Sequence, residues 1–334
     1  MSNEPLVSVL TPVYNNAEYI AECIESVLKQ SYQNFEYIIV NNCSKDRTLE
    51  IAQEYARKDS RIKVHDNDTF LGVIDNHNLA FTLISPNSKY TKVCSGDDWL
   101  YPECLSLMVE LAEANPSVGM VGSYSIAGTQ LLWEGLTHEQ QVVSGREVCR
   151  STLTGGPYVF GSPTSLLYRS DLLRATKAFY PTANPHSDTS ACYMALQHTD
   201  FGFVHQVLSY TRVHSGSQTS NSLKSGTNIR GLIWDMAQFG PVYLSEEDLK
   251  KNLNLRLDKY YLWLLPAFFE HSMSREFIER QQNGLKEIGF EMSLPRVAKA
   301  AATRALEFLD SPAGTVKKIS ALLKKRGKVT ARYY

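Results

Sequence analysis

The feature that most constrains the fold is the alternation of short apolar runs with longer amphipathic segments in the first 125 residues. The runs LVSVLTPVY (6–14) and FEYIIVNN (35–42) are rich in β-branched residues, as expected of strands buried on both faces. Between them, five apolar residues recur at helical spacing on one face: Ile20, Cys23, Ile24, Val27 and Leu28. The pattern continues through RIKVHDND, YTKVCS and VGMVGSYS. It predicts right-handed crossovers and a mostly parallel sheet covered by helices on both sides.

The composition excludes several classes of protein. With 334 residues, the chain is long enough for a sizeable core, and 43% hydrophobic and 21% charged residues are ordinary values for a soluble protein. A net charge of -1 gives no general attraction to a phosphate backbone, so we expect no nucleic acid partner. The six cysteines show no C-x-x-C spacing, and the N-terminus lacks a signal-peptide pattern, which favours a cytoplasmic protein with reduced thiols.

The last third of the chain has a different character. Residues 223–334 contain segments with helical spacing and no strand alternation. From Met292 to Tyr334 there are ten Lys or Arg residues against two acids, Glu307 and Asp310. Such a basic tail is a solvated face, a peripheral contact with an anionic membrane surface, or a segment that docks a partner or a second subunit. The sequence leaves these three roles open.

Polar residues follow two of the predicted strands. Tyr14 and Asn15 come after the first strand, and Asp97 and Asp98 come after the fourth. In a parallel sheet, ligands bind beyond the carboxyl ends of the strands, so these residues can line one crevice. Two adjacent carboxylates repel each other unless they hold a cation. The first strand–helix turn contains no glycine, and no phosphate-binding loop occurs elsewhere, so a bound nucleotide diphosphate would need Mn²⁺ or Mg²⁺.

The stretch VSVLTPVYNNAEYIAECIESVLKQSYQNFEYIIVNNCSKDRT resembles the opening of family-2 glycosyltransferases with the GT-A fold. The resemblance continues through NLAF, CSGDDWLYPE, SDTSACYMAL and LSYTRVHSGSQTS, and so covers about two thirds of the chain. It implies a GT-A domain over residues 1–222, with a nucleotide-sugar-binding half (1–125) and an acceptor-side half (126–222), followed by a helical region (223–334).

The same resemblance implies an activity. Such enzymes move a sugar from a nucleotide diphosphate donor to an acceptor hydroxyl with the help of a divalent metal. The Q-x-x-R-W motif of processive members is absent. We therefore expect the transfer of a single sugar with inversion, to a glycan or lipid-linked acceptor, in bacterial-type surface glycan synthesis.

The resemblance also assigns residues to the donor site. By the family pattern Tyr14 packs on the nucleobase, and Asn42 stands where most members have an aspartate that bonds the base. An asparagine offers one acceptor and two donors, so the identity of the base stays open. An ordinary turn with positive φ is the alternative for Asn41 and Asn42. The residues assigned to the nucleotide are Thr11, Pro12, Tyr14, Asn15, Asn42, Asn76, Ser95 and Asp97.

The metal motif departs from the family pattern D-x-D-D, because Ser95 occupies its first position. Asp97 aligns with the principal metal ligand, and Asp98 serves the metal or the donor sugar. His214, in an R-x-H sequence, is the expected third ligand. The alternative is a charged turn in which Asp98 caps the helix that follows.

A single displacement with inversion needs a base to deprotonate the acceptor hydroxyl. Carboxylates that hold a cation are poor bases, and the family places an acidic residue at the start of a later helix, which here is Asp188. A helix cap is the alternative role for this residue. Two other functions stay open: a non-catalytic nucleotide-sugar-binding protein, and a polymerase-like nucleotidyltransferase, which shares the Gly-Asp-Asp triplet but needs further carboxylates and a basic channel.

Overall fold

The computed structural model describes residues 4–132, 135–184, 186–213, 225–270 and 274–310. Its contacts divide the chain into two compact units. The first comprises Met1–Thr182 and Ser187–Arg212, and the second comprises Ala183–His186 and Val213–Tyr334. Within the described part of the chain, no helix is both long and apolar enough to cross a membrane.

The first unit begins with the predicted alternation of strands and helices. Its first four strands pair in parallel, in the spatial order β3 (Ile62–Asp66), β2 (Phe35–Asn41), β1 (Val7–Val13) and β4 (Tyr90–Val93). All seven residues of β2 are buried, as expected for a central strand with helices on both faces. The elements are β1 (Val7–Val13), α1 (Ile20–Leu28), β2 (Phe35–Asn41), α2 (Thr48–Ala56), β3 (Ile62–Asp66), α3 (Val73–Thr82) and β4 (Tyr90–Val93).

The second half of this unit adds antiparallel strands to the same sheet. Strand β9 (Leu166–Arg169) lies between β4 and β6 (Val118–Ala127) and is antiparallel to both. Strand β10 (Asp200–Tyr210) is parallel to β6. The sheet is therefore parallel over β1–β4 and mixed beyond, within the predicted α/β class. The elements are β5 (Trp99–Leu100), α4 (Cys104–Ala114), β6 (Val118–Ala127), β7 (Gln130–Leu132), β8 (Val142–Val143), α5 (Gly145–Leu153), a 3-10 turn (Pro163–Ser165), β9 (Leu166–Arg169), α6 (Ser170–Arg174), α7 (Ser187–Ala195) and β10 (Asp200–Tyr210).

The loops that follow β1 and β2 are braced against each other. The backbone N–H of Asn15 donates to Ser44 Oγ (3.0 Å), and that of Ala17 donates to Asp46 Oδ2 (3.0 Å). The other oxygen of Asp46, Oδ1, accepts from the N–H of Thr48, the first residue of α2 (3.0 Å). Short polar side chains can bond backbone groups of a neighbouring loop as well as of their own. The two strand ends are thereby held together.

The second unit is helical in its described part. Its helices are α8 (Thr227–Tyr243), α9 (Glu246–Glu270), α10 (Arg275–Glu287) and α11 (Leu294–Asp310). Buried aromatic and aliphatic residues of these helices, including Tyr260, Leu264 and Phe277, form one cluster. Three of the ten cations of the basic tail lie on α11, where Arg296 and Lys299 both pair with Asp258 and Arg304 pairs with Glu307. The other seven lie outside the described residues.

Candidate functional site

The end of β1 presents an exposed aromatic ring. Tyr14 is 46% exposed although it directly follows a buried strand. Asn15 adopts a left-handed conformation (φ 48°), which asparagine tolerates better than most residues, and its Oδ1 accepts from the Lys45 N–H (2.7 Å). Positive φ therefore occurs at Asn15 and Cys43, and not at Asn41 or Asn42 as the turn interpretation suggested. The turn holds Tyr14 exposed beyond the carboxyl end of β1.

The Ser95–Asp98 loop packs directly on the β1–α1 turn. A Cβ atom on Gly96 would lie 2.7 Å from Asn16 Nδ2 and 2.9 Å from a methyl carbon of Val13, so only glycine allows this approach. Thr11, inside β1, donates its hydroxyl to the Cys94 carbonyl (2.8 Å) just before the loop. The carboxyl ends of β1 and β4 are therefore adjacent, as the prediction of one shared crevice requires.

Asp98 is a buried link between three segments. It is 4% exposed; its Oδ2 accepts from the Thr164 hydroxyl (2.6 Å) and its Oδ1 accepts from the Arg212 N–H (2.9 Å). Burial, followed by the neighbouring Asp97 carboxylate, raises the pKa of Asp98 to about 7. Both oxygens thus accept hydrogen bonds inside the protein, and the N-cap of α4 is Glu103 and not Asp98. Asp98 holds the loop, the 3-10 turn and the end of β10 together, and its expected role as a metal ligand stays a prediction.

Asp97 is the partly exposed member of the pair. Its backbone carbonyl accepts from Arg212 Nε (2.9 Å), and the Arg212 guanidinium also lies 4.4 Å from the centre of the Tyr19 ring and pairs with Glu22. In the part of the chain that the structure describes, no three His, Cys, Asp or Glu side chains form a metal-binding cluster, and His214 lies outside that part. One carboxylate completed by substrate phosphate oxygens is a donor set that suits Mg²⁺ or Mn²⁺, and Asp97 fits it.

Beneath these loops, the three asparagines Asn42, Asn67 and Asn76 form a buried hydrogen-bonded cluster. Asn42 is 2% exposed; its Oδ1 accepts from the Leu71 N–H (2.8 Å) and its Nδ2 donates to the Leu71 carbonyl (2.9 Å). Asn67 Nδ2 donates to Asn42 Oδ1 (3.1 Å) and to Asn76 Oδ1 (2.8 Å). Asn41 donates to Asp66 Oδ1 (2.7 Å) from the end of β2. In this arrangement both Asn42 and Asn76 hold the loop after β3. Their expected contacts with a nucleotide stay a prediction.

Asp188 is the second residue of α7 and is partly exposed. Its Oδ1 accepts from the neighbouring Thr189 N–H (2.8 Å). Its charge acts on His77, whose ring stacks on Tyr180 with the centroids 5.6 Å apart. Burial lowers the pKa of His77, and the contact of its Nδ1 with the Val73 carbonyl (2.8 Å) assigns the proton of the neutral ring to Nδ1.

Helix α3 connects the two parts of this edge. Asn76 points to the asparagine cluster of the donor side, and the next residue, His77, lies near Asp188. Asn78 then exchanges two hydrogen bonds with the backbone of Tyr180 (2.8 and 2.9 Å). One turn of α3 therefore sets the separation between the asparagine cluster and the Asp188 carboxylate.

The predicted residues separate into an accessible and a buried group. Pro12, Tyr14, Asn15, Ser95, Asp97 and Asp188 are accessible, whereas Thr11, Asn42, Asn76 and Asp98 are buried. Sequence reasoning did not identify Thr164 or His77, which have no distinctive local pattern. It also did not identify Phe70, a lone aromatic residue in the polar stretch NDTFLG, which was a usable signal.

Relatives of this chain carry glycosyltransferase names. An uncharacterised glycosyltransferase of Haemophilus influenzae is 29% identical over 202 residues, which is 56% of this chain and 59% of that protein. A Bacillus subtilis glycosyltransferase, TuaG, named for teichuronic acid biosynthesis, is 31% identical over 155 residues, or 46% of this chain and 60% of the relative. The matches thus span at most about 60% of these two relatives.

Solved structures share the fold. The crystal structure of S. aureus TarS 1-349 in complex with UDP-GlcNAc superposes with a TM-score of 0.63 at 18% identity, covering 84% of this chain and 80% of that one. The mannosyltransferase PcManGT from Pyrobaculum calidifontis, in complex with GDP-Man and Mn²⁺, superposes with a TM-score of 0.55 at 17% identity. This match covers 96% of this chain and 85% of that one. These similarities confirm the predicted GT-A fold. The family model described as Glycosyl transferase family 2 matches residues 8–175, just over half of the sequence, and the chain therefore belongs to glycosyl transferase family 2.

Proposed function

We propose that this protein transfers one sugar, with inversion, from a nucleotide diphosphate donor to an acceptor hydroxyl, with Mn²⁺ or Mg²⁺ on the diphosphate. The observation that carries the proposal is the packing of the Ser95–Asp98 loop, which carries Asp97, on the β1–α1 turn, which carries Tyr14, at the carboxyl ends of β1 and β4 in a family-2 chain. The UDP-GlcNAc and GDP-Man bound to the two structural neighbours support a nucleotide sugar as donor.

On the donor side, Asp97 holds the metal and Tyr14 contacts the base. A bound Mn²⁺ or Mg²⁺ would neutralise the charge that develops on the departing diphosphate. Arg212 fixes the Asp97 backbone, and Asp98 fixes the same loop from below through Thr164. The loop is thus held from two sides before substrate arrives, which reduces the reorganisation needed for binding.

On the acceptor side, Asp188 acts as the base. Its carboxylate takes the proton of the acceptor hydroxyl while that oxygen bonds to the anomeric carbon, and the bond from this carbon to the diphosphate oxygen breaks. The neutral His77 beside it carries its proton on Nδ1, so its Nε2 can only accept hydrogen bonds. His77 therefore adds a neutral hydrogen-bond acceptor, and no second charge, beside Asp188 at neutral pH.

The acceptor and the location of the protein belong to the same proposal. We assign a glycan or lipid-linked acceptor in bacterial-type surface glycan synthesis, which the teichuronic acid name of one relative supports. We assign a cytoplasmic protein, peripheral on the inner face of the membrane through its basic tail. The charge of +8 over 292–334 supports that contact. Because Arg296 and Lys299 already pair with Asp258, we assign the membrane contact to the basic residues beyond α11.

The test is a panel of nucleotide sugars incubated with Mn²⁺, with release of nucleoside diphosphate as the readout. We expect one donor to be hydrolysed, and Asp97→Asn to lose this activity and the Mn²⁺ dependence of nucleotide binding while keeping the wild-type melting temperature. Asp171→Asn, which removes an exposed carboxylate paired with Arg169, is the matched control and should behave as the wild type. Wild-type turnover by Asp97→Asn would exclude the metal assignment, and failure of the wild type to bind any nucleotide sugar would exclude the function.

A further inference from the structure

An aromatic residue that the proposed function does not use lies beside Tyr14. Phe70, in the loop between β3 and α3, is 59% exposed, and Val73 at the start of α3 is 46% exposed. With Tyr14, they are three of the eight exposed large hydrophobic residues in the described part of the chain. Large apolar side chains that gather at one exposed place mark a surface that binds something.

Phe70 and Tyr14 form one corner. Their ring centroids lie 4.9 Å apart and their planes are inclined by 65°. This separation leaves no room for a planar group between the rings. A flat ligand that stacks on one ring therefore meets the other ring with its edge, and is held by two aromatic surfaces at once.

The loop that carries Phe70 is held rigidly. Leu71, the next residue, is bound through both its N–H and its carbonyl by the single amide of Asn42. At the other end, the Asn67 N–H donates to the Asn41 carbonyl (3.0 Å), and Cys43 Sγ donates to the Asn67 carbonyl (3.1 Å). The residues on both sides of Phe70 are thus anchored to β2 and to the residues that follow it.

The chemistry of position 42 matters for this anchor. An asparagine amide both donates and accepts, so it matches the two groups of the Leu71 backbone. A carboxylate could accept from the N–H but would repel the carbonyl. The asparagine that departs from the family pattern is therefore suited to holding the loop, and its burial keeps it from a ligand at the surface.

We propose that Phe70 is a nucleobase-binding residue that forms a two-sided aromatic corner with Tyr14, and that Asn42 is a positioning residue that acts through Leu71. This inference rests on the proposed nucleotide sugar donor. Stacking accepts any base because every base has a π-face. Selection of the base by the side chain at position 42 is therefore not expected.

Binding of UDP, GDP and inorganic pyrophosphate to the full chain with Mn²⁺, measured by calorimetry, tests the role of Phe70. Phe70→Ala should lower the affinity for the nucleoside diphosphate that the wild type binds by about tenfold or more. Its affinity for pyrophosphate should stay unchanged, since only the base loses a contact. Phe70→Tyr should stay within a few-fold of wild type. Leu131→Ala removes an equally exposed side chain (59%) from β7 and serves as the control. Unchanged nucleotide affinity in Phe70→Ala, or an equal loss for pyrophosphate, would overturn the assignment.

A double-mutant cycle tests the role of Asn42. Asn42→Asp should lower the affinity for the same nucleotide in the wild-type background. It should have no further effect on that affinity in the Phe70→Ala background, because Asn42 acts through the position of Phe70. Additive losses, or a gain in affinity for one base, would mean that position 42 contacts the base itself. If the wild type binds no nucleoside diphosphate, with ADP, CDP and dTDP tested beside UDP and GDP, the proposed function and this inference fail together; if it binds one and Phe70→Ala binds it equally well, only the inference fails.

Discussion

Asp97 and Asp98 are neighbours in the chain but have different environments. Asp97 is partly exposed at the crevice, whereas both oxygens of Asp98 accept hydrogen bonds inside the protein. Asp98 therefore stabilises the loop, whereas the roles of the pair toward a metal and a substrate remain predictions.

Asp188 allows a direct test of the proposed chemistry. Asp188→Asn keeps an oxygen that can accept from the Thr189 N–H, but it cannot take a proton. We expect donor binding and the melting temperature to stay near wild type and the transfer rate to fall by at least ~100-fold, the low end for a positioned base. Steady-state transfer assays and thermal denaturation measure both quantities. Transfer within a few-fold of wild type would leave Asp188 a structural role only.

The placement of β9 positions the 3-10 turn that supports the Ser95–Asp98 loop. Because β9 runs antiparallel between β4 and β6, the 3-10 turn before it lies beside the Ser95–Asp98 loop. Lys92, fully buried on β4, donates to the carbonyls of Thr164 (2.6 Å) and Leu166 (3.1 Å) and fixes this turn. Burial lowers the pKa of Lys92, and its hydrogen bonds offset part of the cost of placing an ammonium group inside the sheet.

Removal of the Thr164 hydroxyl should therefore loosen the loop. Thr164→Val keeps the shape but takes the donor from Asp98 and the acceptor from the Ser95 N–H (3.1 Å). We expect a loss of about 1–3 kcal/mol in the free energy of unfolding, because buried polar groups are left unsatisfied. We also expect about tenfold more Mn²⁺ to be needed for half-maximal donor hydrolysis, since 1.4 kcal/mol corresponds to tenfold in an equilibrium constant. Thr164→Ser, which keeps the hydroxyl, should resemble wild type; a wild-type Mn²⁺ requirement in Thr164→Val would contradict the role.

Across the molecule, the described contacts separate a sheet unit that carries the candidate site from a helical unit. In the sheet unit, the buried carboxylate of Glu36 on β2 accepts from Ser8 on β1 (2.6 Å), Lys63 on β3 (2.7 Å) and Ser85 after α3 (2.7 Å). Burial raises the pKa of Glu36, but the hydrogen bonds from Lys63, Ser8 and Ser85 together outweigh it and hold the pKa below its usual value. One ionised side chain thus joins three strands or loops.

This carboxylate should make stability depend on pH. A group with a lowered folded pKa contributes stability above its unfolded pKa, roughly 4.3, and loses that contribution as the pH falls through the folded value. Glu36→Gln should therefore cost about 1–3 kcal/mol in the free energy of unfolding at pH 7, and the difference from wild type should shrink below pH 4. Urea denaturation at several pH values measures it. Glu50→Gln, an exposed carboxylate paired with Arg47, is the control, and a pH-independent difference for Glu36→Gln would contradict the prediction.

The order of the elements and the position of the chemistry along the chain follow from local patterns. β-branched runs predicted β1 to β4, helical spacing predicted the buried face of α1, and strand ends predicted that Tyr14 and Asp97 share an edge. These features depend on neighbouring residues, so one sequence suffices to recognise them. The family resemblance added Asp188, and both this residue and the metal chemistry remain predictions.

The role of each polar side chain was decided only by the tertiary structure, because its partner lies far away in the chain. Asp98 meets Thr164, 66 residues on, and Asn42 meets Leu71, 29 residues on. No periodicity encodes such pairs. The same holds for β9, whose short apolar run is compatible with several positions in the sheet and takes the one between β4 and β6. Local sequence thus determined which residues reach the site, and long-range packing determined which of them are buried in hydrogen-bond networks and which lie at the surface.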